Sequence, residues 1–245
     1  MSHSPTASPA APAFGAHAEV DEGVIKFHAE HREDVLEPRR FGDLACSLVA
    51  WREILAHSGL VGQDPSLYGG FGYGNVSCRV GAPAAPRRRR GFLISGTQTS
   101  GKRCMTLADF CVVEACDPGT NRVESHGQVM PSSESMTHGA IYALGSHIRW
   151  VFHSHTATVW RRASELRIPT TDPRVAYGTP EMAREVERLY RTTSLPEQGL
   201  LAMGGHEDGI VAFGRTADEA GQVTLRALAA AYALDCGARG GLCER

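Results

Sequence analysis

The 245-residue chain predicts a single α/β domain in which helices pack on the faces of a mostly antiparallel sheet. Two observations support this fold class. Short apolar runs of strand length are mixed with amphipathic helical patterns, and turn residues separate them. The hydrophobic fraction of 42% is enough for one sizeable core. Because no internal repeat or linker divides the chain, we expect one domain over residues 21–245, after a tail at residues 1–20.

The composition limits the partners and the compartment. A formal net charge of −2 and a pI near 6.6 give no reason to expect nucleic acid or a membrane surface as a partner. No apolar stretch approaches the roughly 20 residues of a membrane span. The Ala/Pro/Ser-rich start, "MSHSPTASPAAPAFGAHA", predicts a disordered tail and not a secretory signal. Together with this start, seven cysteines without C-x-x-C spacing indicate a reduced, cytoplasmic protein.

The first elements follow from periodicity and turn signals. We expect a strand at Val24–His28, and then a helix in "RRFGDLACSLVAWREILAHSGL" that stops at Gly59. "YGGFGYGNVSCRV" predicts a Gly-rich turn and a strand. This strand should pair with "GFLISG" as a hairpin, with Arg87–Arg90 in a solvated loop. "CMTLADFCVVEACD" predicts a helical turn and a strand at Cys111–Ala115, and "NRVESHGQVM" predicts an edge strand.

The second half begins with a helix that has strong start signals. In "PSSESMTHGAIYAL", Pro131 is followed by Ser132 and Ser133 as caps, and by Glu134 in the first turn. "WVFHSH" predicts a strand, and "PEMAREVERLY" predicts a helix that begins at its proline. "LLAMGG" and "GIVAFG" predict strands on either side of a loop that carries His206, and "TADEAGQVTLRALAAAYAL" predicts a closing helix.

The strand "WVFHSH" brings two histidines out of an apolar run. Residues two apart on a strand share a face at roughly 6–7 Å spacing, so His153 and His155 could converge on one ion. They could equally be hydrogen-bonded polar residues at a strand end. A loop histidine such as His206 is commonly solvated, and a carboxylate such as Glu134 commonly complements the helix dipole. The turns "GNVS" and "SGTQTSG" offer N–H groups and hydroxyls that suit a phosphate.

The order of these motifs resembles the class II aldolase/adducin family, which includes fuculose-phosphate aldolase. Gly-Asn-Val-Ser, Ser-Gly-Thr, Ser-Ser-Glu, His-x-His and a late histidine follow one another between Leu44 and Leu234. The resemblance implies a three-layer α/β/α fold, usually in a C4 tetramer with sites between subunits. It also implies a divalent metal, typically zinc, held by His153, His155 and His206. Three neutral imidazoles leave a tetrahedral ion one open position for catalysis.

The resemblance assigns further roles. Glu134 matches the family's carboxylate that ligates the resting metal and then exchanges protons with the substrate. His138, on the same helix face as Glu134, is expected to make a hydrogen bond behind the ligands, although a role as fourth ligand is open. The region that holds the substrate phosphate corresponds to Asn75, Thr99, Ser100, Gly101, Ser132 and Ser133.

Two departures from the family pattern bear on the substrate. The family usually has an "HG" dipeptide at the third ligand, whereas this chain has "GGHEDG", in which Glu207 and Asp208 follow the histidine. Carboxylates beside a phosphate would repel it, although both could also lie in a solvated turn. The segment "RIPTTDPRVAYGTPEM" is shorter than the aldolase loop that carries a tyrosine proton donor. Tyr177 aligns better with the start of the next element.

These observations favour a metal-dependent carbon–carbon lyase acting through an enediolate on a hydroxy-carbonyl substrate, such as a sugar or a sugar-phosphate-like molecule. Dehydration or epimerisation through the same intermediate is one alternative. A non-catalytic, adducin-like assembly domain is another, but a binding module has no need of four convergent ligands. We expect a small-molecule substrate and a homo-oligomer, with neither nucleic acid nor membrane as a partner.

Overall fold

The computed structural model describes residues 23–81 and 91–238. The expected tail at residues 1–20 and the arginine run Arg87–Arg90 lie outside the described residues. The strands are β1 (His28–Glu33), β2 (Gly62–Gln63), β3 (Gly72–Tyr73), β4 (Asn75–Arg79), β5 (Phe92–Ser95), β6 (Phe110–Asp117), β7 (Arg122–Gly127), β8 (Trp150–His155), β9 (Leu200–Ala202) and β10 (Gly209–Gly214). The helices are α1 (Pro38–His57), α2 (Ser135–Leu144), α3 (Ala157–Arg161), α4 (Pro180–Thr192), α5 (Leu195–Gln198) and α6 (Ala217–Ala238).

Eight strands form one sheet in the order β1-β7-β6-β5-β4-β8-β10-β9, and β2 and β3 form a separate small hairpin. All neighbours in the large sheet are antiparallel except β1 and β7. The prediction of a mostly antiparallel sheet is therefore confirmed, including the hairpin of β4 and β5. Helices cover both faces, which gives the three layers that the family resemblance implies.

Two packed layers of apolar side chains hold the helices on the sheet. On one face, Met136 and Ile141 of α2 and Met182 of α4 are fully buried against the strands. On the other face, Leu48 and Leu55 of α1 are fully buried beside α6. Removing such side chains from water supplies roughly 1.5–3 kcal/mol each, so this packing, and not helix propensity, fixes the helices in place.

The N-terminal strand differs from its prediction. We expected a strand at Val24–His28, but β1 begins at His28 and runs parallel to β7 from His28–Arg122 to Glu33–Gly127. Its sequence, HAEHRE, is polar and lacks the alternation that marks a half-buried strand. Because β1 pairs with the outer side of β7, β1 is the edge strand, and the segment "NRVESHGQVM" is not the edge strand that was predicted. Among residues 23–81 and 91–238, no helix has the length and apolar character that crossing a membrane requires.

Candidate metal site and adjoining cleft

Strand register brings three polar residues to the end of β8. Asn75 of β4 lies directly opposite His153, and His155 lies opposite Gly209 of β10. His153 and His155 are two residues apart and therefore project from the same face of the sheet. Directly opposed residues of antiparallel strands also share a face, so the side chain of Asn75 borders the histidines.

The three histidines converge on one point. Nε2 of His153 lies 3.0 Å from Nε2 of His155, and one ring nitrogen from each of these residues and His206 lies within 4.8 Å of the others. Nitrogens that share a tetrahedral zinc at about 2.0–2.1 Å are roughly 3.3 Å apart, so small side-chain adjustments suffice to hold an ion. All three rings are buried. The donor set and its spacing thus fit a divalent metal.

Gly209 permits the close approach of the third histidine. The loop between β9 and β10 is closed by hydrogen bonds from Met203 N to Gly209 O (2.8 Å) and from His206 N to Met203 O (3.1 Å). A Cβ atom on Gly209 would lie 2.7 Å from Cδ2 of His206 and 3.3 Å from Cε1 of His153. Only glycine therefore allows these two rings to stack with their centroids 5.2 Å apart.

Burial keeps the histidines neutral. It lowers the pKa of His153 to about 4 and holds the pKa values of His155 and His206 well below the ordinary range. Nδ1 of His153 donates a hydrogen bond to the carbonyl oxygen of Ile210 at 3.1 Å, so the Nε2 lone pair of the neutral ring faces the cluster. Neutral imidazoles oriented in this way are in the state that binds a metal.

Glu134 completes the cluster from the start of α2. Its Oε1 lies 3.5 Å from Nε2 of His206 and 4.0 Å from Nε2 of His153, and the residue is 1% exposed. Burial raises the pKa of Glu134 to about 7, against smaller lowering effects from the Thr137 hydroxyl and the Lys26 ammonium. Among the described residues, no group makes a hydrogen bond of normal geometry to either carboxylate oxygen. A bound cation would provide the partner that this buried carboxylate lacks.

The start of α2 differs by one to two residues from its prediction. Ser132 and Ser133 were expected to cap the helix, but Glu134 occupies the N-cap and the helix begins at Ser135. Ser132 stabilises the preceding turn, because its hydroxyl accepts a hydrogen bond from Glu134 N (3.3 Å) and its carbonyl accepts one from the Ser135 hydroxyl (2.7 Å). The two serines are therefore left in a turn beside the histidine cluster.

A narrow cleft adjoins the histidine cluster on the side of these serines. The described residues that line it carry no charged side chain, and its walls are polar groups and backbone. The lining residues are Gly23, Gly72, Gly74, Asn75, Gly96, Thr97, Gln98, Ser100, Ser132 and Ser133. Thr99 and Gly101, which were expected to contact substrate, are not among them. The Thr99 hydroxyl instead donates a hydrogen bond to Gly96 O (2.7 Å). Four of the six predicted substrate-binding residues thus meet in one cleft.

A model of the family "Class II Aldolase and Adducin N-terminal domain" matches residues 66–233. The chain belongs to this family.

Several solved structures share the fold of this chain. L-fuculose-1-phosphate aldolase from Thermus thermophilus is 18% identical, covers 83% of this chain and 100% of its own, and has a TM-score of 0.57. A sugar-phosphate aldolase from Thermotoga maritima is 16% identical, and the alignment covers 82% of this chain and 99% of that protein, with a TM-score of 0.57. An aldolase II superfamily protein from Pseudomonas syringae is 15% identical, and the alignment covers 83% of this chain and 78% of that protein, with a TM-score of 0.54. At these identities the likeness shows the fold alone. Among curated proteins, none matches this chain.

His138 lies behind the cluster but does not contact a histidine ligand candidate by a hydrogen bond. Its Nδ1 lies 2.6 Å from the Ser77 hydroxyl, which also lies 2.7 Å from the Tyr142 hydroxyl. The hydrogen bond expected behind the ligands is therefore made to a serine of β4. Among the described residues, the group that could hold a metal does not include His138, so a role as fourth ligand gains no support.

The two carboxylates after His206 have different surroundings. Glu207 is exposed, whereas Asp208 is buried and accepts a 2.9 Å hydrogen bond from the Tyr68 hydroxyl. Neither residue lines the cleft. The expected repulsion between these carboxylates and an anion in the cleft stays a prediction.

Three residues that the sequence did not single out as part of the site lie beside it. The Tyr68 ring centroid is 4.7 Å from that of His155, and the Tyr177 ring centroid is 4.4 Å from that of His206. Nζ of Lys26 lies 3.7 Å from the centroid of the Tyr177 ring. Tyr177 does precede a helix, as expected, yet its side chain packs on the cluster. A positive φ of 48° at Tyr68 is the one local signal, and it is visible only in the structure.

Proposed function

We propose that this protein is a carbon–carbon lyase of the aldolase type that depends on a divalent metal, with zinc as the ion. Its substrate in this proposal is a hydroxy-carbonyl compound, in particular a sugar phosphate or a similar molecule. The observation that carries the proposal is the convergence of three buried neutral histidines and one buried carboxylate beside an uncharged polar cleft. Membership of the class II aldolase family supports the same reaction class.

The metal would be held by His153, His155 and His206. A bound divalent ion would supply Lewis-acid stabilisation of the negative charge that develops on substrate oxygens when the carbon–carbon bond breaks. The buried surroundings of the three rings support this role, because electrostatic interactions are strongest where water is excluded.

Glu134 is the proposed proton-transfer residue. Burial raises the pKa of Glu134 above its ordinary value in the metal-free protein, and a carboxyl with a raised pKa is suited to accept and return a proton. A carboxylate 3.5 Å from Nε2 of His206 is also within reach of an ion held by that nitrogen. We therefore assign to Glu134 the removal and return of the substrate proton.

The cleft is the proposed site of the substrate phosphate. Asn75, Ser100, Ser132 and Ser133 offer hydroxyl and amide groups there without a competing carboxylate. Ser132 and Ser133 directly precede Glu134, so a phosphate in the cleft would be joined to a reacting carbon near the histidines by a short linkage. Tyr68 and Tyr177 are candidates for the proton donor, since each ring packs on a histidine of the cluster. A homo-oligomer, as the family resemblance implies, is part of the proposal.

A substrate panel tests the reaction class. Zinc-loaded protein is incubated with hydroxy-carbonyl sugars, with and without a phosphate, and the products are identified by NMR spectroscopy. We expect aldehyde release from a phosphorylated compound and no release with Glu134→Gln. Asn75→Asp, which places a carboxylate in the cleft, should raise KM for that compound at least 10-fold, whereas Asn75→Ser should change it less.

Other products would change the assignment. An epimer or a dehydrated product in place of an aldehyde would support the alternative reactions, and YgbL from Klebsiella pneumoniae, described as a candidate aldolase/epimerase/decarboxylase, has the same fold (16% identity, TM-score 0.57). Failure of the zinc-loaded protein to convert any compound of the panel would contradict the lyase proposal and favour an assembly domain.

A further inference from the structure

An N-terminal segment crosses the site although it lies outside the part of the chain that matches the family. This segment, Gly23–Phe27, precedes β1, whereas the family match begins at residue 66. Gly23 lines the cleft, and Phe27 at the other end of the segment is buried in the core beside α2 and α4. The segment is therefore anchored at both ends, and its middle lies over the site.

Tyr177 ties the middle of this segment to the histidine cluster. Its hydroxyl accepts a hydrogen bond from Val24 N (3.1 Å) and donates one to Val24 O (3.3 Å). Its ring packs against His206 with the centroids 4.4 Å apart. Tyr177 thus connects the segment Gly23–Phe27 to His206, a candidate metal ligand.

Lys26 brings a positive charge to the same place. Its Nζ lies 3.7 Å from the centroid of the Tyr177 ring, at a distance typical of a cation–π contact. Because the Tyr177 ring packs on His206 with the centroids 4.4 Å apart, the ammonium lies one aromatic ring away from the histidine cluster. The described residues that line the adjoining cleft are uncharged, and Lys26 is not one of them, so its charge lies on the Tyr177 side of the cluster.

We propose that Lys26 is a substrate-binding residue that holds an oxyanion group of the substrate, a phosphate or a carboxylate, next to Glu134 and His206. The inference deepens the proposed function and rests on it. A lysine ammonium is a compact charge on a flexible stem, so it can reach an anion beside the cluster from its position above the Tyr177 ring. The segment Gly23–Phe27 then adds a positive charge to a site whose cleft is lined by uncharged polar groups of the family-matched region.

The lysine content of the chain allows a direct test. The sequence contains only two lysines, Lys26 and Lys102. Reductive methylation with ¹³C-formaldehyde, which preserves the positive charge, should give one NMR signal for each lysine and one for the terminal amine. Lys102 is paired with Asp109 and serves as the internal reference. Full-length, zinc-loaded protein is then titrated separately with inorganic phosphate and with glycolate.

The expected result is a shift of the Lys26 signal with one or both anions, while the Lys102 signal does not move. The anion that moves it identifies the group that is bound. Lys26→Met should weaken binding of that anion at least 10-fold and leave zinc affinity within about 2-fold, whereas Lys26→Arg should restore most of the binding. Lys102→Met, which removes the other lysine charge, should leave the dissociation constant unchanged.

Two results would overturn the inference. One is an unchanged dissociation constant in Lys26→Met, even if its thermal stability falls, because the lysine would then only anchor Tyr177. The other is anion binding that disappears in Asn75→Asp but does not move the Lys26 signal. Since none of these measurements uses turnover, absence of lyase activity alongside a Lys26-dependent anion site would contradict the proposed function and not this inference.

Discussion

Nε2 of His206 lies 3.5 Å from Oε1 of Glu134. This contact joins the loop between β9 and β10 to the start of α2, two elements on different sides of β8. Each group is buried, and within the part of the chain that the structure describes neither carboxylate oxygen of Glu134 has a hydrogen-bond partner of normal geometry. A buried carboxylate without full hydrogen bonding is costly, so the metal-free protein holds unfavourable free energy at this point. A bound cation would relieve that cost.

Zinc should stabilise the protein markedly. Binding to the native state adds about 2.7 kcal/mol at a free concentration 100 times the dissociation constant, which corresponds to a rise in Tm of roughly 5–10 °C for a chain of this size. His206→Ala should abolish this rise and lower zinc affinity by more than about 100-fold, because it removes a proposed ligand. Calorimetry with and without zinc measures the rise in Tm and the zinc affinity.

His57→Ala, at the exposed end of α1, is the control and should behave as wild type. A zinc-induced rise in Tm of His206→Ala equal to that of wild type would contradict the ligand assignment.

The stability of the metal-free protein should depend on pH through Glu134. Its pKa is raised from 4.5 to about 7, so the unfolded chain releases this proton near pH 4.5 while the folded protein keeps it. The contribution of Glu134 to stability therefore falls by on the order of 3 kcal/mol as the pH rises from 4.5 to 7.

Comparison with Glu134→Gln isolates this effect. The buried histidines have lowered pKa values and act in the opposite direction, raising stability as the pH rises toward 6.5. The difference in free energy of unfolding, wild type minus Glu134→Gln, should fall over that pH range in the presence of a chelator. Urea denaturation at several pH values measures it, and a difference that does not change with pH would show that the carboxyl group ionises normally.

Asp208 should control the ionisation of Tyr68. Burial raises the pKa of the Tyr68 phenol, and the hydrogen bond to Asp208 and its charge raise it further. In Asp208→Asn the pKa of Tyr68 should fall. The absorbance of tyrosinate is measured as a function of pH, and the curve of the matching Tyr68→Phe variant is subtracted to isolate the contribution of Tyr68. Asparagine is the right replacement because Asp208 has a φ of 61°, which Asn tolerates and Ala does not. A Tyr68 titration identical to that of wild type would contradict the contact.

Gly74 should be intolerant of a side chain. Its φ is 73°, and a Cβ atom would lie 2.8 Å from Cγ2 of Val61 and 3.0 Å from the carbonyl oxygen of His153. Gly74→Ala should therefore cost about 2 kcal/mol or more, as judged from denaturation midpoints, and should weaken zinc binding by displacing β8. Gly42→Ala is the matched control. It lies in α1 with nothing within 4 Å of the added Cβ, and should stabilise the protein by about 0.5–1 kcal/mol.

Most elements could be predicted because their local pattern and their packing agree. The helix ending near Gly59 and the hairpin of β4 and β5 appear where periodicity and turn residues indicate them. The pair His153 and His155 shares a face for the same reason, since strand alternation is a local property. Their convergence with His206 could not be derived from spacing, because it depends on the antiparallel register of β8 and β10.

What could not be predicted depends on contacts between distant parts of the chain. β1 has a polar sequence, and it becomes a strand only because β7 offers an unpaired edge. Lys26 and Tyr68 have no motif around them that indicates a site. Their roles follow from where Tyr177 and Asp208 lie, and those positions are set by tertiary packing.

The parallel pairing of β1 with β7 also sets an order of events during synthesis. His31 and Ser125, which face each other across these strands, are 94 residues apart in the chain. At a translation rate of about 5–20 residues per second, β1 leaves the ribosome roughly 5–20 s before its partner. The segment that carries Lys26 is thus made early and positioned late.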